Sequence, residues 1–513
     1  MRILAIMVAV YATGLSACAV GPDFHRPDAP QGVGYTPKKL TASTASSDIP
    51  AGSAQRLESG SDIPAEWWRL FHSKEIEALV AEALRANPSL EAAQATLRQA
   101  RENLYAQQGH LLPTVDANAS STREQSSPAT FGTNGPTSIF NLLQATVNVS
   151  YTPDVFGGQR RQIEASAATA EYQQFELEAT FLTLTANVVT TAVQQASLRG
   201  QIEATRDIVR AETDQLEMVR QRLDIGAVSI TDVLTQESEL ANTQATLPPL
   251  QKQLEQQRHL LLALTGRFPN QDRADRITLA TLKLPKDLPL SLPSRLVEQR
   301  PDVRAAEAQL HQASAQVGVA IANRLPTFTL TGEYGTSALS AASLLTPSTM
   351  IWSAAASGTQ PMFHGFTLLH QQRAAEAAYD SAAAQYRNTI LTAFQNVADS
   401  LRAVQLDAAA LRAQAAALKA ASATLDAASS QYKLGAIAYV TLLDSQRSYA
   451  QARLALVQAQ AARLSDTAAL FQALGGGWWN RNDSAPAKEG NFDSFVLLPL
   501  QEIRLASPRE FER

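Results

Sequence analysis

NPSLEAAQATLRQARENLYAQQGHLLPT, residues 87–114, returns without a gap as RPDVRAAEAQLHQASAQVGVAIANRLPT, residues 300–327. Two further echoes follow in the same order. Phe156-Gly157-Gly158 is matched by Phe363-His364-Gly365 and Tyr172 by Tyr379, while Gly226 and Gly266 are matched by Gly435 and Gly475. The offsets are 213, 207 and 209 residues, so the chain holds one duplicated unit of about 200 residues. Repeated units are built to stand side by side, which points to an assembly around an axis rather than to a catalytic globule.

Within each unit the hydrophobic period changes twice. A helical pattern from about Ser73 reaches Gly109, with Pro88 at the first turn of a helix entered at Asn87. After Pro113 the pattern alternates. Strands are expected at about 113–122 and 143–153, with Val147, Val149 and Tyr151 on one face. The second pair is expected at about 326–336 and 349–360. Phe328, Leu330 and Tyr334 share one face there, and Thr327, Thr329, Thr331 and Glu333 the other. Strands of this length, apolar outside and polar inside, fit a membrane barrel with a wet lumen. Four strands cannot close such a barrel. Either several copies contribute, or the strands belong to something else.

Each strand pair gives way to a very long helix. Residues 159–225 contain no proline and one glycine, Gly200; between Gly365 and Gly435 there is neither. Such helices would be on the order of 100 Å long. Ile390, Val397, Val404, Leu411, Leu418, Leu425 and Tyr432 recur every seven residues, with Phe394, Leu401, Ala408 and Ala415 four residues behind members of that series. This a/d seam implies left-handed coiled-coil packing. Ile202, Val209, Leu216 and Leu223 repeat it in the first copy. Each long helix stops at a glycine turn and a return helix follows, to Thr265 and to about Leu474. Pro248-Pro249 should kink or break the first return. A return helix stacked on the short helix before the strands matches one long helix.

Composition narrows the classes. The chain has 513 residues, a formal net charge of −5 and one cysteine, Cys18. There is no basic field for nucleic acid. Arg2, the apolar segment Ile3 to Leu15 and the small residues before Cys18 read as a signal peptide over 1–17. No later apolar run reaches the ~18 residues of a membrane helix. The seven histidines do not cluster, and no P-loop, nucleophile elbow or dinucleotide fingerprint is present. An enzyme is therefore not expected, and neither is a cofactor or metal.

Cys18 followed by VGPDFHRP, the two repeat motifs, the glycine hairpins and YKLGAIAYVTLLDSQRSYAQA from Tyr432 resemble the lipoprotein branch of the bacterial outer-membrane efflux proteins, the TolC/OprM/NodT-like family. The resemblance spans residues 18–478. It implies a mainly helical homotrimer whose duplicated helix–strand–strand–long helix–helix units build a twelve-stranded β-barrel joined to a coiled-coil α-barrel. Repeat 1 would occupy 73–265 and repeat 2 300–475. Segments 18–72, 266–299 and 476–513 would form an equatorial belt.

The implied function is the exit duct of a tripartite pump for drugs or other small molecules. Its partners would be a periplasmic adaptor (membrane fusion) protein, an inner-membrane transporter of the RND type and outer-membrane lipid. Cys18 would carry diacylglycerol and an N-acyl chain. Val440 would form an apolar constriction, Asp444 an acidic ring and Arg447 part of the closing contacts. Gly226-Ala227 and Gly435-Ala436 would be the tips that meet the adaptor. Two rivals stand beside this reading: the duct of a type I protein secretion system, and a non-conducting structural coiled-coil lipoprotein. The latter would not explain the paired alternating segments.

Overall fold

The computed structural model describes residues 19–481, apart from 31–33, 37–39, 128–131, 133–134, 273–276 and 292. Cys18, the expected signal peptide and most of the expected C-terminal tail lie outside the described residues.

After β1 (Arg56–Ser59) come α1 (Lys74–Ala86) and α2 (Pro88–Gly109), then β2 (Thr114–Ser126), β3 (Ser138–Tyr151), α3 (Gly158–Asp224) and α4 (Ile230–Leu264). A connector with β4 (Asp287–Leu290) and α5 (Pro293–Gln299) leads to the second unit. That unit comprises α6 (Pro301–Ala322), β5 (Thr327–Ala338), β6 (Met350–Thr359), α7 (Thr367–Lys433) and α8 (Tyr439–Ala473). The duplication is closer than the sequence echoes suggest. The long helices α3 and α7 have 67 residues each, α4 and α8 have 35, and α2 and α6 have 22.

From α3 to the end of α4 every boundary recurs at one offset of 209. The Phe156–Phe363 and Tyr172–Tyr379 pairings are therefore two residues out of register. The structural partners are the left-handed caps Gly157 and Phe366, with φ of 76° and 65°. The offset changes from 213 to 209 between β2 and α3, where β3 has 14 residues and its counterpart β6 has 10.

Asn87 ends α1 and caps α2. Its Oδ1 accepts from the Ser89 and Leu90 amides, and Pro88 takes the first helical position, where no amide proton is needed. Helix α4 runs unbroken through Pro248 and Pro249, so of the expected kink or break the break does not occur. The carbonyls these prolines leave unbonded belong to Gln244 and Ala245, both exposed residues, so no unbonded carbonyl is forced into the core. Packing of α4 along α3 holds the rest of the helix.

On α7 the seam residues Ile390, Val397, Leu401, Val404, Ala408 and Leu411 are buried, and Leu418 and Leu425 are half-buried. Helix α3 packs against both stacks of shorter helices, α2 with α4 and α6 with α8, whereas α7 packs against α6 and α8. The order across the molecule is stack, long helix, stack, long helix. The strands copy that order in one antiparallel sheet, β2-β3-β5-β6, with β2 and β6 at its edges.

A belt closes around the junction between stacked helices. β1 pairs in parallel with β4. Trp67 is fully buried and stacks on Phe471 at 5.4 Å. The buried Arg463 guanidinium donates to the Ala51 and Ser53 carbonyls at 2.8 and 2.7 Å, tying the N-terminal segment to α8. The VGPDFHRP segment straps α3 to α6. Asp23 meets the buried Arg161 at 2.7 Å, Phe24 stacks on His311 at 4.3 Å, and Arg26 reaches Glu307 at 3.0 Å.

Candidate functional site

The sheet is built of rows. Residues directly opposite in an antiparallel pair share a face. One row reads Ala117, Val147, Tyr334, Trp352, and the next Val115, Val149, Gly332, Ala354. Among the described residues, every exposed large hydrophobic of the four strands lies on this face: Val115, Ile139, Val147, Val149, Phe328, Leu330, Tyr334, Met350 and Trp352. The opposite face carries rows such as Asp116, Asn148, Glu333, Ser353. An apolar exterior with a polar interior is the pattern of a barrel wall between lipid and water. No helix of the described residues is long and apolar enough to cross a membrane.

The two hairpins form the far end. Gly226 and Gly435 both adopt φ of 72°, a left-handed turn in which the Ala227 amide donates to the Arg222 carbonyl and the Ala436 amide to the Gln431 carbonyl. All four tip residues are exposed. Each capping glycine is preceded by an apolar side chain held out in solvent, Ile225 at 79% and Leu434 at 84% exposure. These knobs were legible as an apolar residue before the glycine in both copies, and sequence reasoning passed over them.

Val440, Asp444 and Arg447 lie at i, i+4 and i+7 on α8, one helical stripe. Val440 is 59% exposed and Asp444 is exposed, so neither is spent on the core of its own chain. Arg447 contacts Asp444 loosely, at 3.9 Å. Its close partner is Glu239 on α4, at 2.5 Å. That hydrogen bond raises the already high pKa of the guanidinium, which therefore stays charged.

Behind the pair lies a polar cluster. The Tyr439 hydroxyl donates to Gln236 Oε1, and Gln236 Nε2 donates to the Glu212 carbonyl at 3.1 Å. Thr243 donates to the Glu212 carboxylate at 3.1 Å. Burial pushes Glu212 up to about 7. Sequence reasoning missed Glu212, Gln236 and Glu239 because they sit in the other repeat, roughly 200 residues from Arg447. Among the described residues no cluster of His, Cys, Asp or Glu could hold a metal ion.

Comparison with known proteins agrees with this geometry. Residues 79–267 and 292–476 match the family model described as outer membrane efflux protein. The chain is 27% identical over 487 residues to the probable efflux pump outer membrane protein TtgC of Pseudomonas putida, covering 94% of this chain and 97% of that one. It is 29% identical over 416 residues to the pyoverdine export outer membrane protein OpmQ of Pseudomonas putida, covering 80% and 88%.

Among solved structures, the outer-membrane channel OprN superimposes with a TM-score of 0.81 at 27% identity, over 90% of this chain and 100% of that one. The open state of the Neisseria gonorrhoeae MtrE outer membrane channel gives 0.76 at 26% identity, over 90% and 99%. Duplicated units, a two-faced sheet and rod-like helices thus converge with family membership: the chain belongs to the outer membrane efflux protein family and is an outer-membrane efflux channel whose helical part extends into the periplasm.

Proposed function

We propose that three copies of this chain close into the exit duct of a tripartite efflux pump. The observation that carries this reading is the pair of unfilled edges. The sheet ends in β2 on one side and β6 on the other. The helical layer ends in the α2–α4 stack on the β2 side and in α7 on the β6 side. Open strand edges are pairing sites, and closure removes them. A head-to-tail ring would join both layers with one rotation. Three copies give twelve strands and twelve rod equivalents. Phe328 to Ala338 is ten residue steps, ~34 Å at ~3.4 Å each. Tilted by ~45°, that gives a wall near the ~25 Å of an outer-membrane apolar band.

In this reading the domain layout is the belt of 18–72, 266–299 and 476–513 around repeats 73–265 and 300–475. Val440, Asp444 and Arg447 narrow the periplasmic end, where three carboxylates converge on the axis. Gly226-Ala227 and Gly435-Ala436, with the Ile225 and Leu434 knobs, meet the periplasmic adaptor, and an RND-type transporter in the inner membrane supplies the energy. Lipidation of Cys18, as in the lipoprotein branch, fits the position of Val20. The Val20 amide donates to the Phe156 carbonyl at 3.0 Å, between the foot of β3 and the start of α3, so acyl chains on Cys18 would lie at the membrane end of the helices.

Native mass spectrometry of the detergent-solubilised protein tests the assembly. A species of three chains that conducts in planar bilayers is expected. A monomer without conductance would overturn it.

A further inference from the structure

Among the described residues, Glu212 is the buried carboxylate of the tip region, and it makes no ion pair with them. It is 5% exposed. Its Oε1 accepts from Thr243 at 3.1 Å, and its buried Oε2 has no hydrogen-bond partner. Glu239 lies one helical turn before Thr243 on α4, and there it holds Arg447 of α8 at 2.5 Å. The charges of two carboxylates, one on α3 and one on α4, thus act on one guanidinium from α8. We propose that Glu212 is a positioning residue of the periplasmic gate, and that the proton on its carboxyl decides whether Arg447 stays on Glu239. The proposal rests on the reading of Val440, Asp444 and Arg447 as the gate.

The groups around Glu212 set the direction. Burial raises it most, the Thr243 hydrogen bond lowers it, the Glu239 charge raises it and the Arg447 charge lowers it, leaving it at about 7. Tyr439 on α8 faces the same cluster, its own ionisation pushed up by burial and by the charges of Asp232, Glu212 and Glu239, so it stays neutral. Asp444, exposed and one turn before Arg447 on α8, faces it at 3.9 Å.

A neutral Glu212 leaves the guanidinium to Glu239, and α8 is held on α4. An ionised Glu212 in this dry place either draws Arg447 away or draws water between the helices. The folded value lies above the ordinary 4.5, so the arrangement with Arg447 on Glu239 binds the proton more tightly. Its stabilisation is present in acid and lost as pH rises through about 7.

Single-channel recording in planar bilayers at about pH 6 and about pH 8 tests this, because Glu212 passes from roughly nine-tenths to roughly one-tenth protonated over that span. Wild-type closed-state conductance should rise by about twofold or more, a change a merely structural residue would not produce. Glu212→Gln, which keeps the shape and the Thr243 contact but cannot ionise, should stay at the acid level at both values. A Glu212→Gln channel that retains the wild-type rise, or a wild type that shows none, overturns the proposal. Arg447→Ala, recorded alongside, should conduct more at both values; if it leaves conductance unchanged at both, the gate reading itself falls.

Discussion

Asn87 and Arg300 hold the same joint in the two halves of the molecule with different chemistry. Asn87 Nδ2 donates to the Leu264 carbonyl at 2.8 Å, where α4 ends; Arg300 Nη1 donates to the Ala473 carbonyl at 2.9 Å, where α8 ends. The start of each short helix is thereby stitched to the end of its return helix, and two short helices become one rod. Asn87 also caps α2, so Asn87→Ala removes a cap and leaves the half-buried Leu264 carbonyl without this partner. A loss of about 2 kcal/mol is expected, read as a lowered melting temperature in detergent by circular dichroism. Arg300→Lys reaches the carbonyl but not both oxygens of Asp302, and should cost less than Arg300→Ala in the same measurement.

Glycines that look alike in sequence should respond differently to a methyl group. Gly226 and Gly266 share φ of 72°. A Cβ on Gly226 would meet nothing within 4 Å, while one on Gly266 would stand 2.1 Å from the Ala86 carbonyl oxygen. Gly226→Ala should therefore cost about 1 kcal/mol, from the left-handed conformation alone. Gly266→Ala must also push α1 off the joint, and assembled protein should be largely lost. Equal melting temperatures for the two variants would contradict this account of the joint.

In the proposed gate, Arg447 is close to Glu239 and only loosely in contact with Asp444. Both Asp444→Ala and Glu239→Gln should raise closed-state conductance in planar bilayers, the second more than the first. An unchanged closed state in Asp444→Ala would remove that residue from the gate. The reverse order would mean that the acidic stripe, rather than the α4–α8 bridge, keeps the end narrow.

Fatty-acid labelling of cells expressing Cys18→Ala should find no labelled protein, while wild type is labelled. The channel itself should survive the change, because the strap of Asp23, Phe24 and Arg26 holds the leader independently of a lipid. Label retained in the variant would exclude Cys18 as the attachment site.

Much of this molecule was legible before any coordinates. The long helices, the glycine turns, both strand pairs and the stacking of short helices into rods follow from periods and caps that act within a few residues. The two-faced sheet was visible in Val147, Val149 and Tyr151. The failures have one cause. Pro248-Pro249 reads as a kink or break because local chemistry forbids an interior proline, yet packing along α3 and the exposure of Gln244 and Ala245 keep the helix unbroken. The Phe156–Phe363 echo misleads because a sequence match ignores where backbone caps fall. Arg447 was assigned to the gate, but its partner Glu239 could not be named.

The sequence by itself determined the duplication, the element types and their lengths, since hydrophobic period and capping residues are written along the chain. Only the tertiary structure decided which helices share α3, that β3 of one repeat pairs with β5 of the other, which edges stay open, and that Glu212 lies buried against Thr243, one turn from the partner of Arg447. Those facts are distances between residues remote in sequence. They are fixed by how faces pack and what water is excluded, and no local pattern encodes them.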